Sequence, residues 1–459
     1  MTAAATGQLA GLRAEEFPYL DAAGQAYLDY TGAALPPLSL VRGSAERLAR
    51  GVYGNPHSAS PASLASTELV AEARRAVLAF CRAPAEQYAV VFTPNATGAI
   101  RLVAEAFPFA PGRGLALLRD NHNSVLGLRC YATAAGAPVR VLPLGAEHRA
   151  DAAAVAAALA AGPPGLFAYP GQSNATGVRH PLSWVAEARR QGWRVLLDAA
   201  AMLPTAGLDL GAVPADFVAL SWYKITGFPS GVGCLLARHE ALAELHRPWF
   251  SGGTVQATAA DPAWYLLSPP PDGFEDGSLA FLALPDVIAA AGWHGRIGYP
   301  ALAAHTGALT RRLIDGLTAL RHPGGEPAAR VLGPTGPADR GPTVAFHLLR
   351  PDGTPLDERL AQAATAAAGI SVRTGCFCNP GVTEQDNGLT PDRVAHALRA
   401  GDPASTDAYL RQLGGRVQGS VRASTGAATV EADVDRLLTV CAELAARAPA
   451  DPAEPRHGC

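Results

Sequence analysis

The chain has 459 residues, a formal net charge of −3, and 49% hydrophobic against 17% charged residues. At roughly 150 residues per domain that length supports two or three domains with sizeable cores. The composition excludes a disordered chain, and the charge leaves no basic footprint for nucleic acid or an anionic membrane.

Seven cysteines, an odd number without a regular framework, do not read as a secreted disulfide scaffold. No apolar run reaches the ~18 residues of a membrane span. The expectation is a soluble, cytoplasmic protein with free thiols. In chain order, residues 1–50 are expected to pack near a second, smaller domain. Residues 51–294 alternate β-like and helical runs, the pattern of an α/β domain with a mainly parallel sheet. SLASTELVAEARRAVLAFC predicts a helix, AVVFT a strand and NATGAIRLVAEAF a turn opening a helix. GLALLRD, PVRVLPL, GLFAYP, WRVLLDAA, DFVALSWY and GVGCLLAR follow as strands, with LSWVAEARRQG as one of the helices between them. Residues 295–446 change to a small α+β domain with ARVLG, TVAFHLL, ISVRTG and GSVRAST as strands. The Pro-rich end, 447–459, reads as a disordered tail carrying Cys459.

Of the 37 basic residues one is a lysine, Lys224 in SWYKITG. Arginine serves a surface charge or a phosphate clamp as well as lysine does, but it cannot lose its proton and attack a carbonyl carbon. That is the task of a Schiff-base lysine, helped by an apolar pocket that lowers its pKa. Chance in an arginine-biased chain is the competing account, so the surroundings decide. Schiff-base chemistry on amino acids needs an electron sink, which an aldehyde cofactor such as pyridoxal phosphate supplies.

In an open parallel sheet, ligands sit at the carboxyl ends of the strands, and the candidate residues fall there. TPNATG offers the amides of Ala96, Thr97 and Gly98 and the Thr97 hydroxyl at a helix start, either as a phosphate cradle or as a plain N-cap. His122 in RDNHNSV is placed to stack on a ring or to serve as a surface residue. Asn174 in QSNATG is placed to donate to a ring oxygen or simply to make a turn. Asp198 ends the apolar run WRVLL, where a carboxylate needs a cationic partner: a pyridinium nitrogen or a structural ion pair. Two further thiols, Cys376 and Cys378 in RTGCFC, lack the second ligand pair of a metal site and are too close for an unstrained disulfide.

The order of these features resembles that of fold-type I pyridoxal-phosphate enzymes, within the class V aminotransferase group that includes cysteine desulfurases. LDYTGAALPP, DNHNSVLGLR, YPGQSNATG, SWYKITGFPSGVG, SGGT, FEDGS and VRTGCFCNPG together are similar to the N-terminal domain of molybdenum cofactor sulfurases, over about residues 25 to 440. The resemblance implies that Lys224 is the cofactor lysine, with Ser221 and Tyr223 beside it in the cofactor site. General desulfurases commonly carry His where Tyr223 stands and Gln where Ala201 stands, so ring-oxygen tuning falls on Asn174 and Tyr223. It implies that Gly252, Gly253 and Thr254 complete the phosphate site of a second subunit in a homodimer. Cys378 aligns with the persulfide-forming nucleophile, Cys376 with a position where related desulfurases often have His, and Arg422 with the residue that binds the substrate carboxylate. Arg373 near the thiolate favours it electrostatically.

The implied reaction converts L-cysteine to alanine and an enzyme persulfide, whose sulfur passes to a separate acceptor, molybdenum cofactor or its carrier protein. Supply of sulfur to another thio-cofactor or natural-product pathway is the alternative, as is an aminotransferase or lyase acting on another amino acid. A catalytically silent scaffold would show no yellow cofactor absorbance.

Overall fold

The computed structural model describes residues 9, 11–399, 401, 403, 405–414, 419–447 and 449–452. Of the expected disordered tail, 447–459, Arg447 instead ends a helix and Asp451 accepts a hydrogen bond from Arg350 at 2.7 Å, while residues 453 through Cys459 lie outside the described residues.

The strands in chain order are β1 (Ala26–Tyr27), β2 (Tyr88–Thr93), β3 (Leu115–Leu118), β4 (Val139–Leu142), β5 (Leu166–Pro170), β6 (Arg194–Asp198), β7 (Phe217–Ser221) and β8 (Gly233–Arg238). The last seven form one sheet in the order β2-β8-β7-β6-β5-β3-β4. Every pairing is parallel except those of β8, which runs antiparallel to β2 and β7.

Side chains of β5, β6 and β7 alternate between two buried faces. Phe167, Tyr169, Val195, Leu197, Val218 and Leu220 join one core with Val70, Val77 and Val287 from the helices Pro61–Phe80 and Leu284–Ile297. Leu166, Ala168, Leu196, Phe217 and Ala219 join the other with Ile100 and Val103 of the Ala96–Ala106 helix. Burial on both faces is why these strands read in sequence as unbroken apolar runs.

DFVALSWY, expected to stay extended through Tyr223, leaves the sheet after Ser221 and turns into the Trp222–Thr226 helix. Gly227 ends that helix at φ 72°, and a Cβ there would lie 2.3 Å from the Leu35 carbonyl carbon, so only glycine fits. The sharp turn places Lys224 at the sheet edge rather than within a strand. The sequence gives no strand signal for the hairpin of β9 (Val255–Ala259) and β10 (Trp264–Leu267), whose Trp264, Tyr265 and Leu266 are exposed.

The remaining strands are β11 (Ala329–Leu332), β12 (Thr343–Leu348), β13 (Ile370–Ser371), β14 (Arg373–Gly375) and β15 (Ser420–Ser424), and all but β13 make an antiparallel sheet, β11-β12-β15-β14. Leu309, Leu313 and Leu317 of the Tyr299–Ala319 helix and Val434, Leu437 and Cys441 of the Glu431–Arg447 helix cover it. ISVRTG, expected as one strand, is two. Its first part, β13, pairs in parallel with β1, and its second, β14, pairs with β15 so that Arg373 stands opposite Arg422. Between β14 and β15 the chain inserts the helices Pro380–Asp386, Pro391–Leu398 and Thr406–Gln412, which the sequence reading did not resolve.

No helix among the described residues is long and apolar enough to cross a membrane. None of the six described cysteines forms a disulfide.

Candidate active site

Strand ends of the large sheet wall a cavity of about 120 Å³. Ala96, Thr97, His122, Asn174, Asp198, Ser221, Tyr223 and Lys224 all line it, although they come from five different strand-to-loop junctions. Gly98 and Thr254, expected in the same site, do not line it.

Lys224 is among the residues lining this cavity, and no carboxylate lies within ion-pair distance of it among the described residues. Burial pushes its pKa below the ordinary lysine value, opposed by the charge of Asp198 and reinforced by Arg422 and Arg373. The amine is thereby shifted toward the neutral, nucleophilic form. Asp198 is buried at the end of β6 and accepts a hydrogen bond from the Ala200 amide at 3.0 Å. No arginine or lysine pairs with it among the described residues, so the structural ion pair is not what holds it there. His122 Nδ1 accepts from the Ser124 amide at 3.1 Å, which leaves the proton of the neutral ring on Nε2. Burial first, then the Lys224 and Arg422 charges, push its pKa down against the pull of Asp198, so the ring is neutral near pH 7. Burial raises the Tyr223 pKa, keeping the phenol a donor.

The start of the Ala96–Ala106 helix is partly closed on itself. Asn95 Oδ1 accepts from the Gly98 amide at 2.9 Å and Ser221 Oγ from the Ala96 amide at 2.8 Å. Asn95 thus caps the helix, and of the three expected amides those of Ala96 and Gly98 are bonded by side chains of the chain itself. Groups turned to the cavity mouth are Thr97 Oγ1 and Ser124 Oγ, 2.8 Å apart. Thr254 is fully buried, and its hydroxyl closes its own turn, donating to Ser251 O at 2.8 Å and accepting from the Ser251 amide at 2.9 Å.

The other expected residues, Arg373, Arg422, Cys376 and Cys378, do not line the cavity and connect to it through Asn174, which bonds Arg422 and the Phe377 carbonyl. Arg422 is buried, donating to Asp29 Oδ1 at 2.8 Å and to the Asn174 carbonyl at 2.9 Å, while its Nε has no partner. Arg373 donates through Nε and a terminal nitrogen to Asp29 Oδ2 at 3.0 and 2.8 Å. Two like charges opposite each other on β14 and β15 would repel, and Asp29 offsets both. Sequence reading quoted Asp29 only as part of a motif; a carboxylate inside the apolar run YLDY was the available signal.

The two thiols separate. Cys378 is exposed and Cys376 buried. Phe377 and Cys378 are both left-handed, at φ 56° and 54°, a conformation that costs roughly 1–2 kcal/mol per non-glycine residue. Four hydrogen bonds to the large sheet's loops hold them there. Asn123 N donates to Cys378 O at 2.7 Å, and Asn174 Nδ2 to Phe377 O at 2.8 Å. Asn379 Nδ2 donates to Asp120 O at 2.7 Å and to Asn174 Oδ1 at 3.0 Å. Asn123 and Asn379 were not singled out in sequence, because each acts through a partner far away in the chain, at Cys378 and Asp120. Gln172 was also missed. It lines the cavity and donates to the Ala201 carbonyl at 2.9 Å, lying beside the position where the expected glutamine is absent.

A cavity with an amine whose pKa burial lowers, an unpaired carboxylate, a neutral imidazole and a helix start can hold an anionic, cationic-ringed cofactor, and one of its lining residues, Asn174, bonds the loop that carries an exposed thiol. Residues 26–437 match the family profile "Aminotransferase class-V". The chain is 38% identical to a molybdenum cofactor sulfurase of Bos taurus and 36% identical to one of Homo sapiens, each time over 94% of this chain and 51% of the relative. It thus spans about half the length of these curated relatives. Among solved structures, a cysteine desulfurase of Thermococcus onnurineus NA1 shares the fold with a TM-score of 0.78 at 24% identity, covering 95% of this chain and 98% of that one. One from Escherichia coli does so with a TM-score of 0.74 at 22% identity, over 95% and 98%. With its profile match running through nearly all of the described residues, the chain belongs to the aminotransferase class-V family.

Proposed function

We propose that this chain is a pyridoxal-phosphate-dependent L-cysteine desulfurase of the molybdenum cofactor sulfurase kind, forming a persulfide on Cys378. The observation that carries the reading is the joining of two chemistries: the exposed Cys378 sits on a loop hydrogen-bonded to Asn174, which itself lines the cavity of Lys224 and Asp198.

The residues present fit the cofactor. Asp198, buried without a cationic partner, suits a protonated pyridine nitrogen. Thr97 and Ser124 at the helix start suit the phosphate. His122 suits the ring face, Asn174 and Tyr223 the ring oxygen, and Lys224 the aldehyde carbon. Ala96, Gly98 and Ser221 serve the cradle by shaping it through their hydrogen bonds to one another's segment. Thr254 belongs to a second subunit's site in this reading, and the exposed hairpin aromatics Trp264 and Tyr265 suit the homodimer it requires.

Pyridoxal phosphate, when bound, supplies the electron sink that makes the substrate Cα proton removable. Lys224 Nζ accepts that proton, which its lowered pKa allows without strong base. Arg422, aimed by Asp29, and Arg373 beside it hold the substrate carboxylate. The Cys378 thiolate, within the fields of both arginines, attacks the substrate sulfur. A sulfur–sulfur bond forms, the carbon–sulfur bond breaks, and its electron pair goes to the three-carbon fragment, which leaves as alanine after protonation. The persulfide sulfur then passes to a separate acceptor, molybdenum cofactor or its carrier protein, in the cytoplasm.

Incubation of the cofactor-loaded protein with L-cysteine, followed by an alanine assay and the mass of the peptide containing Cys376 and Cys378, tests this reading. Alanine with one added sulfur, lost in Cys378→Ala and kept in Cys376→Ala, is the expected outcome. Loss in Cys376→Ala alone would reverse the assignment of the two thiols, and neither product from wild type would overturn the substrate.

A further inference from the structure

We propose a second binding site, for a small oxyanion such as phosphate or the phosphate end of a larger ligand, at the seam between the loop after β5 and the helical side of the small sheet. Arg179 comes from that loop, Arg311 from the Tyr299–Ala319 helix and Arg340 from the β11–β12 connection, and all three line one cleft of about 80 Å³. No aspartate or glutamate lines it.

The argument rests on the difference between satisfying a donor and compensating a charge. Arg340 is 8% exposed, and its guanidinium donates to the carbonyls of Pro334, Thr343, Gly341 and Thr176. Those neutral oxygens meet its hydrogen bonds but leave a buried positive charge unpaired, which is costly. Among the described residues, the other two arginines buried to a similar degree each hold a carboxylate: Arg422 with Asp29 at 2.8 Å and Arg247 with Asp276 at 2.7 Å. Arg179 repeats the pattern of Arg340, donating only to the neutral oxygens of Gln172 at 3.0 Å and Thr205 at 3.2 Å. Asp339, the nearest acid in sequence, turns out to Arg149 at 3.5 Å. Burial pushes the pKa of Arg179 down and that of Arg340 to about 10, with Arg149 adding repulsion to the latter.

A cleft of this volume exceeds the ~30 Å³ share of a water molecule in the liquid. It admits a tetrahedral oxyanion, and any larger body attached to it would extend past the exposed Arg311 and Thr335 at the mouth. Thr306 and Thr310 donate their hydroxyls within their own helix, so recognition falls to the guanidinium forks. An anion here would also brace the seam, where the Arg179 amide donates to Asp339 O at 2.9 Å and the Gly341 amide to Gly177 O at 2.7 Å. Its influence reaches the cavity of Lys224 through Gln172, which accepts from Arg179 on one side and lines that cavity on the other.

The test is calorimetric titration of inorganic phosphate into protein loaded with pyridoxal phosphate in chloride buffer, with sodium chloride at equal ionic strength as the control. Saturable binding is expected, about tenfold weaker in Arg311→Gln, as for loss of one charge-assisted hydrogen bond, and unchanged in Arg101→Gln, an exposed arginine outside the cleft. Arg340→Gln should abolish it if that variant folds, and Arg311→Gln, on an exposed helix face, decides the matter if it does not. No saturable binding, or equal binding in Arg311→Gln, would overturn the site. Glycerol 3-phosphate binding more tightly than phosphate would identify the phosphate end of a larger ligand, and equal binding the free ion. The part of the binding that Arg311→Gln removes belongs to this cleft whether or not the first cavity takes the cofactor.

Discussion

The cavity around Lys224 and the loop around Cys378 are joined through Asn174, yet they are built on opposite principles. Asp198, Ser221 and Ala96 sit directly at strand and helix ends whose side chains are locked between two apolar layers, so the backbone fixes them before any side-chain contact is made. Cys378 stands on a loop with two left-handed residues that local sequence does not favour, held by hydrogen bonds from Asn123, Asn174 and Asn379. The first arrangement gives a rigid template. The second sets a few kcal/mol of backbone strain against hydrogen bonds worth about as much, so the loop's conformation depends on contacts with the large sheet rather than on its own sequence.

The largest way to break this comparison is to remove the template's chemistry and leave the loop intact. Lys224→Ala should lower alanine formation from L-cysteine by at least about 10³-fold, within the range for loss of a positioned general base, while Cys378 stays reactive to a thiol reagent. Turnover within a few-fold of wild type would remove Lys224 from the reaction. Loss of thiol reactivity in the same variant would instead show that loop and cavity are one unit.

Asn379→Ala separates them from the other side. Asn379 is fully buried and supplies two of the loop's four tethers, to Asp120 O and Asn174 Oδ1. At about 1 kcal/mol each, their loss should lower persulfide formation roughly thirtyfold, with cofactor absorbance retained. Equal persulfide yield would mean that the left-handed loop holds itself. Asp29→Asn acts between the two regions. It weakens the aim of Arg422 and Arg373 at once, and should raise KM for L-cysteine several-fold more than it lowers kcat; an unchanged KM would mean that neither arginine holds the substrate carboxylate.

The same contrast explains what could be read from the amino-acid sequence. Strands buried on both faces write themselves as apolar runs, so AVVFT, GLFAYP, WRVLL and DFVALS mark the sheet, and residues just past them mark the cavity. A lone lysine after such a run stands out against an arginine background. What was not legible depends on pairing at a distance. ISVRTG gives no sign that it divides between β1 and β15, because the division is set by its two partners. Asn379 and Asp29 act only through residues far away in sequence, at Asp120 and Arg422. The amides of Ala96 and Gly98 looked free because the partner of one, Ser221, lies on another strand.

The smallest effect sharpens the template half through stability alone. Burial lowers the Lys224 pKa below its ordinary 10.5, so between the folded and unfolded values the unfolded chain binds more protons, and stability rises with pH in that window. Below the folded value both states carry the proton and the penalty of a buried ammonium is felt in full. Lys224→Met should therefore raise the melting temperature of the cofactor-free protein at pH 7, relative to wild type, and the gain should shrink as pH rises toward 10.5. The reverse trend, a gain that grows with pH, would mean that Lys224 is held charged by Asp198 and Asp29 in the folded chain. An amine so held would be too basic to act as the nucleophile that the cavity requires.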